Sequence, residues 1–266
     1  HMDELNTSKL QTFTNISHEI RTPMTLIISP LEKLMKDDRD EANRRLSYDT
    51  MHRNASRILN LVNQLMDVRK IENGKMILSL SRQDIIPIIG NICESFVGKA
   101  AEKNITFTYI HDGIDQLFAN IDLQHFDKIF ANLISNAMRF APEKGVVTVS
   151  VSKLSAEKAE IAVNDNGIGI PDEEREHIFE RFYQVRSDEN NAVGGLLDAR
   201  MNLTGGTGVG LHLAKALVEM HNGTIRVDKR IEGEGCRFIV ELPLVEQIES
   251  TQNSQVPLSP QVEAIT

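Results

Sequence analysis

In the stretch Phe13-Thr-Asn-Ile-Ser-His18-Glu19-Ile-Arg-Thr22-Pro23-Met-Thr-Leu26, an imidazole, a carboxylate and a hydroxyl fall within about one helical turn of each other. A neutral imidazole has one bare nitrogen with which to attack an electrophile. A carboxylate on the other nitrogen fixes the tautomer and makes the ring more basic. His18 is therefore a candidate phosphate acceptor and Glu19 its candidate assistant, while Thr22 lies four residues on, along the same helical face. An amphipathic helix with a surface histidine would carry the same pair, so the assignment depends on the rest of the chain. A zinc-protease helix is excluded, because His-Glu-x-x-His requires a second histidine where this chain has Thr22.

A second constellation lies downstream. Lys128, Asn132, Asn136 and Arg139 recur at spacings of four, four and three on one helical face. Two amide oxygens one turn apart suit Mg²⁺, a hard ion that prefers oxygen, and the flanking cations suit phosphate oxygens. In the strand that follows, Ile161, Val163 and Asp165 share a face, so the carboxylate continues a buried side. Asn166-Gly167-Ile168-Gly169-Ile170-Pro171 comes next, with glycines that permit a tight turn and close backbone approach to a flat ring. A buried carboxylate that accepts from an exocyclic amine selects one base over another, since a carbonyl in its place would leave it unpaired. Finally, Gly205-Gly206-Thr207-Gly208-Val209-Gly210-Leu211 opens a helix, where backbone amides make an anion site. It is not a Walker loop, for no Gly-Lys-Ser/Thr follows.

These groups need elements to hold them. Leu10, Phe13, Ser17, Ile20, Met24, Ile27, Leu31 and Leu34 step by three and four, which predicts a helix over about 5–35 with His18 beside its apolar seam. Pro23 removes one backbone hydrogen bond, so a local bend is expected rather than an end. A second helix is predicted over about 41–73, with Tyr48, Met51, Ala55, Ile58, Val62 and Leu65 on one seam, Leu59 and Met66 widening it, and Gly74 as its stop. A hairpin cannot cover its own apolar face. About six large side chains left in water at ~1.5–3 kcal/mol each would cost on the order of 10 kcal/mol, which predicts a homodimer closing a four-helix bundle. Beyond it the periodicity predicts strands at 76–80, 105–110, 117–121, 146–153, 160–165, 224–230 and 236–242. Helices are predicted at 85–103, 122–140 and 209–221, giving a mixed sheet with helices on one face. The 184–203 stretch reads as a lid with Arg186 and Arg200 within it, and the tail from Val245 as a disordered linker.

The chain has 266 residues, 41% of them hydrophobic, enough for one or two packed domains. A formal charge of −9 argues against general nucleic-acid affinity, which rests on clustered Lys and Arg. Cys93 and Cys236 have no metal spacing and read as small buried hydrophobes. No apolar run approaches the roughly 18 residues of a membrane span, and no signal peptide is present. The opening His1-Met2 reads as a cloning remnant of an excised portion.

Together the motifs resemble those of the sensor histidine kinases of two-component systems, over about 5–245. Asn15-Ile-Ser-His18-Glu19-Ile-Arg-Thr22-Pro23 resembles the phosphoacceptor box, and Asn132-Leu-Ile-Ser-Asn136-Ala-Met-Arg139-Phe140 the asparagine box. Asp165-Asn-Gly167-Ile-Gly169 resembles the first glycine box, Phe179-Glu-Arg-Phe182-Tyr183 the phenylalanine box and Gly206-Thr207-Gly208-Val209-Gly210 the second glycine box. Arg139 and Ala141 depart from the commoner lysine and threonine or serine.

The resemblance implies a two-domain fold. Its first part is an α-helical hairpin forming a dimeric four-helix bundle. Its second is an α/β sandwich of the gyrase, chaperone and histidine-kinase ATPase type. The implied division is a lead-in at 1–4, a dimerisation and phosphotransfer domain at 5–74, a catalytic ATP-binding domain at 75–245 and a linker tail at 246–266. The first helix and the tail also resemble those of hybrid sensors of Bacteroidetes, in which a receiver follows the kinase core.

The expected reaction is transfer of the ATP γ-phosphoryl to His18, followed by passage to an aspartate of a response-regulator receiver domain. Mg²⁺ is expected at Asn132 and Asn136, adenine at Asp165. By the same resemblance Ile170, Phe182 and Leu211 join the nucleotide site, Thr22 supports dephosphorylation of the receiver, and the parent protein is anchored in an inner membrane through a part outside this chain. Two rivals stand beside this: an ATPase or clamp of the same nucleotide fold without an acceptor, and a non-catalytic dimeric signalling module.

Overall fold

A computed structural model describes residues 2–36, 41–185, 208–229 and 233–246; side chains are described from Thr14 onward, Asn15 excepted. The 186–203 part of the lid with Arg186 and Arg200, Gly206 and Thr207 of the second glycine box, and the tail from residue 247 lie outside the described residues.

Two long helices open the chain, α1 (Met2–Met35) and α2 (Glu41–Glu72), packed as a hairpin. Helix α1 runs through both Pro23 and Pro30, and Pro23 is buried. Proline has no N–H to give, so the Glu19 carbonyl loses its usual intrahelical donor one residue after His18. Outer apolar side chains of the hairpin stay in water in the single chain: Met24, Leu31, Tyr48, Leu59, Val62 and Met66 are all exposed. Leu61 and Val68, on another face of α2, are fully buried against the rest of the molecule, and Ile16 and Ile20 of α1 pack on the same core.

The expected strand at Met76–Leu80 does not form. Its backbone groups are committed elsewhere: the Lys75 and Met76 N–H groups return to the Lys70 carbonyl at the end of α2, and the Ser79 N–H goes to Asp122 Oδ2 at 2.8 Å. The strand comes later, β1 (Ser81–Asp84), paired antiparallel with β3 (Phe118–Ile121). The single helix expected over 85–103 is two, α3 (Ile85–Glu94) and α4 (Val97–Glu102). At the break the Ser95 hydroxyl donates to the Ile92 carbonyl at 2.6 Å, a side-chain bond that competes with helix continuation. Asp84 caps α3 by accepting from the Ile86 N–H, and Pro87 sits in the first turn, where no donor is needed.

The main sheet runs β2-β4-β5-β7-β6, with β2 (Thr106–Ile110) parallel to β4 (Val146–Lys153) and the remaining pairs antiparallel. Its other members are β5 (Lys158–Asp165), β6 (Thr224–Lys229) and β7 (Cys236–Pro243). Helix α5 (Leu123–Phe140) packs on β4 and β5, and α6 (Gly210–Met220) on α5 and β6. The face of α5 carrying Phe126, Ile129, Phe130, Leu133, Ile134 and Ala137 is completely buried, as its spacing predicts. That burial turns the Asn132 and Asn136 face outward.

Candidate active site

The buried face of α5 fixes what its polar face can meet. Asn132, Asn136, Arg139 and Phe140 line a cavity of about 480 Å³ together with Asp165, Gly169, Ile170, Gly208, Gly210 and Leu211. Ten residues singled out from the sequence thus converge on one chamber. Three others stand behind its wall. Gly167 donates its N–H to Asp165 Oδ1 at 2.8 Å, and a Cβ there would lie 2.7 Å from both that oxygen and the Phe140 carbonyl. Phe182 is buried at φ +61° and donates its N–H to the Gly208 carbonyl at 2.8 Å, while Val209 is fully buried under the start of α6. Gly208 itself has φ +62°, and a Cβ would fall 2.8 Å from the Phe182 backbone. The two motifs therefore lock each other, and only glycine fits the crossing.

Asp165 ends β5 at 2% exposure. The loop beside it is held equally tightly by Gly235, where a Cβ would sit 1.9 Å from the Asp165 carbonyl. Among the described residues helix α6 begins without a side-chain cap at Val209, and a helix start is a place where backbone N–H groups favour an anion.

Asn132 Oδ1 accepts from Gln64 Nε2 of α2 at 3.2 Å, and Asn136 Oδ1 accepts from Arg139 at 2.5 Å. Arg139 stacks on Phe140 with 4.5 Å from its guanidinium carbon to the ring centroid, and its buried Nε has no hydrogen-bond partner among the described residues. Burial, and after it the nearby Arg57 charge, pulls its pKa down to about 10 against the opposing pull of Glu19. A buried cation with an orphaned donor beside two amide oxygens and a row of helix N–H groups is the chemistry of a polyphosphate site. No group of three His, Cys, Asp or Glu side chains among the described residues suits a metal. A cation here would rest on amide and phosphate oxygens.

His18 is exposed, and its carbonyl accepts from the Thr22 hydroxyl at 3.4 Å. Glu19 turns the other way, toward the cavity rim, where it accepts from Gln184 Nε2 at 3.2 Å and lies 3.8 Å from Arg57. Burial raises its pKa, with Gln184, Arg57, Arg139 and His18 working in the opposite direction. The acceptor helix and the nucleotide chamber thus meet at Glu19.

One wall of the chamber was not anticipated: Arg53, Arg57, Asn60 and Gln64 of α2. Their spacing of four, three and four is a polar stripe on one face, a signal present in the sequence. It reads as an ordinary solvated face until α2 is seen to dock on α6. Lys128, expected to face phosphate, instead pairs with Asp67 of α2 at 2.6 Å. Cys236 also lines the chamber, its thiol pKa raised by burial.

Residues 8–74 match the His Kinase A (phospho-acceptor) domain. Residues 121–246 match the histidine kinase-, DNA gyrase B- and HSP90-like ATPase family. The chain belongs to the histidine kinases. Histidine kinase P4 of Formosa agariphila is 36% identical over 242 residues, covering 91% of this chain and 17% of the relative. Sensor histidine kinase TmoS of Ectopseudomonas mendocina is 35% identical over 91% of this chain and 23% of its own length. The chain therefore spans about a fifth of these relatives. In fold it resembles histidine kinase ThkA, solved in complex with response regulator protein TrrA, with TM-score 0.67 at 21% identity over 91% of this chain and 64% of that one. The residues matched to the ATPase family include Asn132, Asn136, Arg139 and Asp165 of the chamber, while its α2 wall lies within the phospho-acceptor match. Among the described residues no helix is long and apolar enough to cross a membrane.

Proposed function

We propose that this chain phosphorylates His18 from ATP and passes the phosphoryl group to an aspartate of a receiver domain, working as a homodimer through residues 5–74 with catalysis in 75–245. The observation that carries this reading is the junction at Glu19, which joins the His18 helix to the rim of a chamber built from Asn132, Asn136, Arg139 and Asp165.

In the reading, a ring nitrogen of His18 attacks the γ-phosphorus, the bond to the bridging oxygen breaks, and ADP leaves with the bonding electrons. Glu19, at the chamber rim with Gln184 and Arg57 as its partners, offsets the developing positive charge of the imidazole through its charge rather than through a hydrogen bond. Asp165 accepts from the adenine amino group, held in place by the Gly167 N–H. Arg139 and the N-terminus of α6 neutralise phosphate oxygens. Mg²⁺, when bound by the Asn132 and Asn136 amide oxygens, supplies further neutralisation of phosphate charge. To hold the ion, both oxygens would turn from their present partners, Gln64 and Arg139. Thr22, a turn beyond His18, orients a water toward a docked phosphoaspartate, and a receiver in the same or a separate chain is the partner.

Incubation with γ-labelled ATP and Mg²⁺ tests the central step. Wild type should acquire an acid-labile, base-stable label that His18→Gln abolishes while ATP binding is retained, because acceptor and pocket lie on different elements. Undiminished labelling of the mutant overturns the assignment.

A further inference from the structure

We propose that Arg57 of α2 contacts the terminal phosphate of the bound nucleotide, so that the acceptor hairpin itself supplies a cation to the ATP site. The proposal rests on the chamber being an ATP site, and it adds a residue from outside the ATPase fold.

Three observations carry it. Arg57 lines the chamber on the same stripe as Asn60 and Gln64, and Gln64 already reaches Asn132. Its guanidinium lies 3.8 Å from the Glu19 carboxylate, the residue after His18, so it stands between the chamber and the acceptor. At that separation the pair is an ion pair without a hydrogen bond, and the Arg57 guanidinium makes no hydrogen bond among the described residues. Its donors are thus uncommitted.

The charge balance points the same way. Arg57 bears on Arg139 as a like charge, and both guanidiniums bear on the Glu19 carboxylate. On this side of the chamber two guanidiniums are matched by the one Glu19 carboxylate, Asp165 standing at the end of β5, and an anion beside both guanidiniums offsets their mutual repulsion. Arg139 is deep and stacked on Phe140, suited to the inner phosphates. Arg57 is at the rim, 26% exposed, suited to the outermost one. A planar fork of donors matches a phosphoryl group through two parallel bonds, and at the transferring group it stabilises charge that develops in the transition state. A plain surface ion pair with Glu19 would be worth little and would not explain why the carboxylate is shared.

The test uses the full chain and compares affinity for ADP with affinity for a non-hydrolysable ATP analogue, both with Mg²⁺, by calorimetry. Arg57→Ala should weaken the analogue by about 10- to 100-fold, the range for loss of a charged hydrogen bond, and change ADP by no more than about threefold. Arg57→Lys should recover part of the difference, since charge without the fork keeps some attraction. At saturating ATP the Arg57→Ala rate of His18 labelling should fall on the order of 100-fold, more than the binding loss alone explains. A structural role for Arg57 would weaken both ligands alike, and an unchanged analogue-to-ADP ratio in Arg57→Ala overturns the proposal. Arg57→Gln, which keeps side-chain length and helix propensity, gives the same ratio if the alanine variant folds poorly. If wild type takes no label on His18, the acceptor reading fails, while the binding ratio still decides the role of Arg57.

Discussion

His221 is 1% exposed, and both of its ring nitrogens are spoken for by backbone. Nδ1–H donates to the Leu217 carbonyl at 2.7 Å, and Nε2 accepts from the Asp122 N–H at 3.1 Å. Protonation would set an N–H against an N–H. Burial lowers the His221 pKa, with the Leu217 hydrogen bond and the Asp122 charge opposing and the His125 charge assisting. The sign follows: the unfolded chain takes up this proton first, so the stability tied to neutral His221 is complete above the ordinary histidine pKa, near 6.5, and is lost as pH falls below it. Thermal melting should therefore drop between about pH 7.5 and about pH 5.5, and His221→Gln should flatten that slope. The difference between the two proteins removes the opposing effect of exposed His177, whose pKa Glu180 raises. Equal slopes would assign the pH response to other groups. Asp122 belongs to a lower window: despite burial, hydrogen bonds from His125 and Ser79 hold its carboxyl down to about 2, so its contribution is lost only well below pH 4. Asp122 caps the N-terminus of α5, the helix that carries Asn132 and Asn136, and His221 at the end of α6 holds the Asp122 N–H.

At the scale of elements, the notable contact is α2 on the ATPase fold. It is made by Leu61 and Val68 in the core, by Gln64 on Asn132, by Asp67 on Lys128, and by Glu72 on Arg181 at 2.9 Å. Asp67 is nearly buried, and Lys128 keeps 33% of its side chain exposed. Asp67→Ala should cost about 1–2 kcal/mol of docking, less than a fully buried pair would lose, because Lys128 can return to water. Solution scattering should show a larger radius of gyration for this variant, with secondary structure unchanged by circular dichroism. An unaltered scattering curve would mean that Leu61 and Val68 carry the docking without the ion pair.

At the scale of the molecule, the apolar face left open by the hairpin remains to be covered. Val62 and Met66 are one turn apart on α2 and are 41% and 51% exposed, on a surface continuous with Leu59. A second copy of the hairpin buries such a stripe in the manner of a four-helix bundle. Light scattering should therefore give about twice the 29.9 kDa chain mass. Val62→Glu combined with Met66→Glu should halve it, since each charge would be buried without a partner. A monomeric wild type would end the dimer reading. Nucleotide binding should survive in the double variant, because the chamber is lined from the opposite side of α2 by Arg57 and Gln64.

Periodicity alone determined the long helices, because a stripe at three and four has one way to be buried. It placed α5 within a residue and predicted that Asp165 would end a strand on its buried side. Glycine positions in the motifs were equally legible, since positive φ and backbone crossings exclude a Cβ at Gly208 and Gly167. The segment at 76–80 misled because its alternation describes a strand, while its N–H groups go to Lys70 and Asp122, partners distant in pattern that only folding brings near. The α2 stripe of Arg53, Arg57, Asn60 and Gln64 is visible in the sequence yet indistinguishable there from a solvated face. Whether such a stripe meets water or a chamber depends on how two separately folded units dock, and no local spacing encodes that contact; only the tertiary structure decided it.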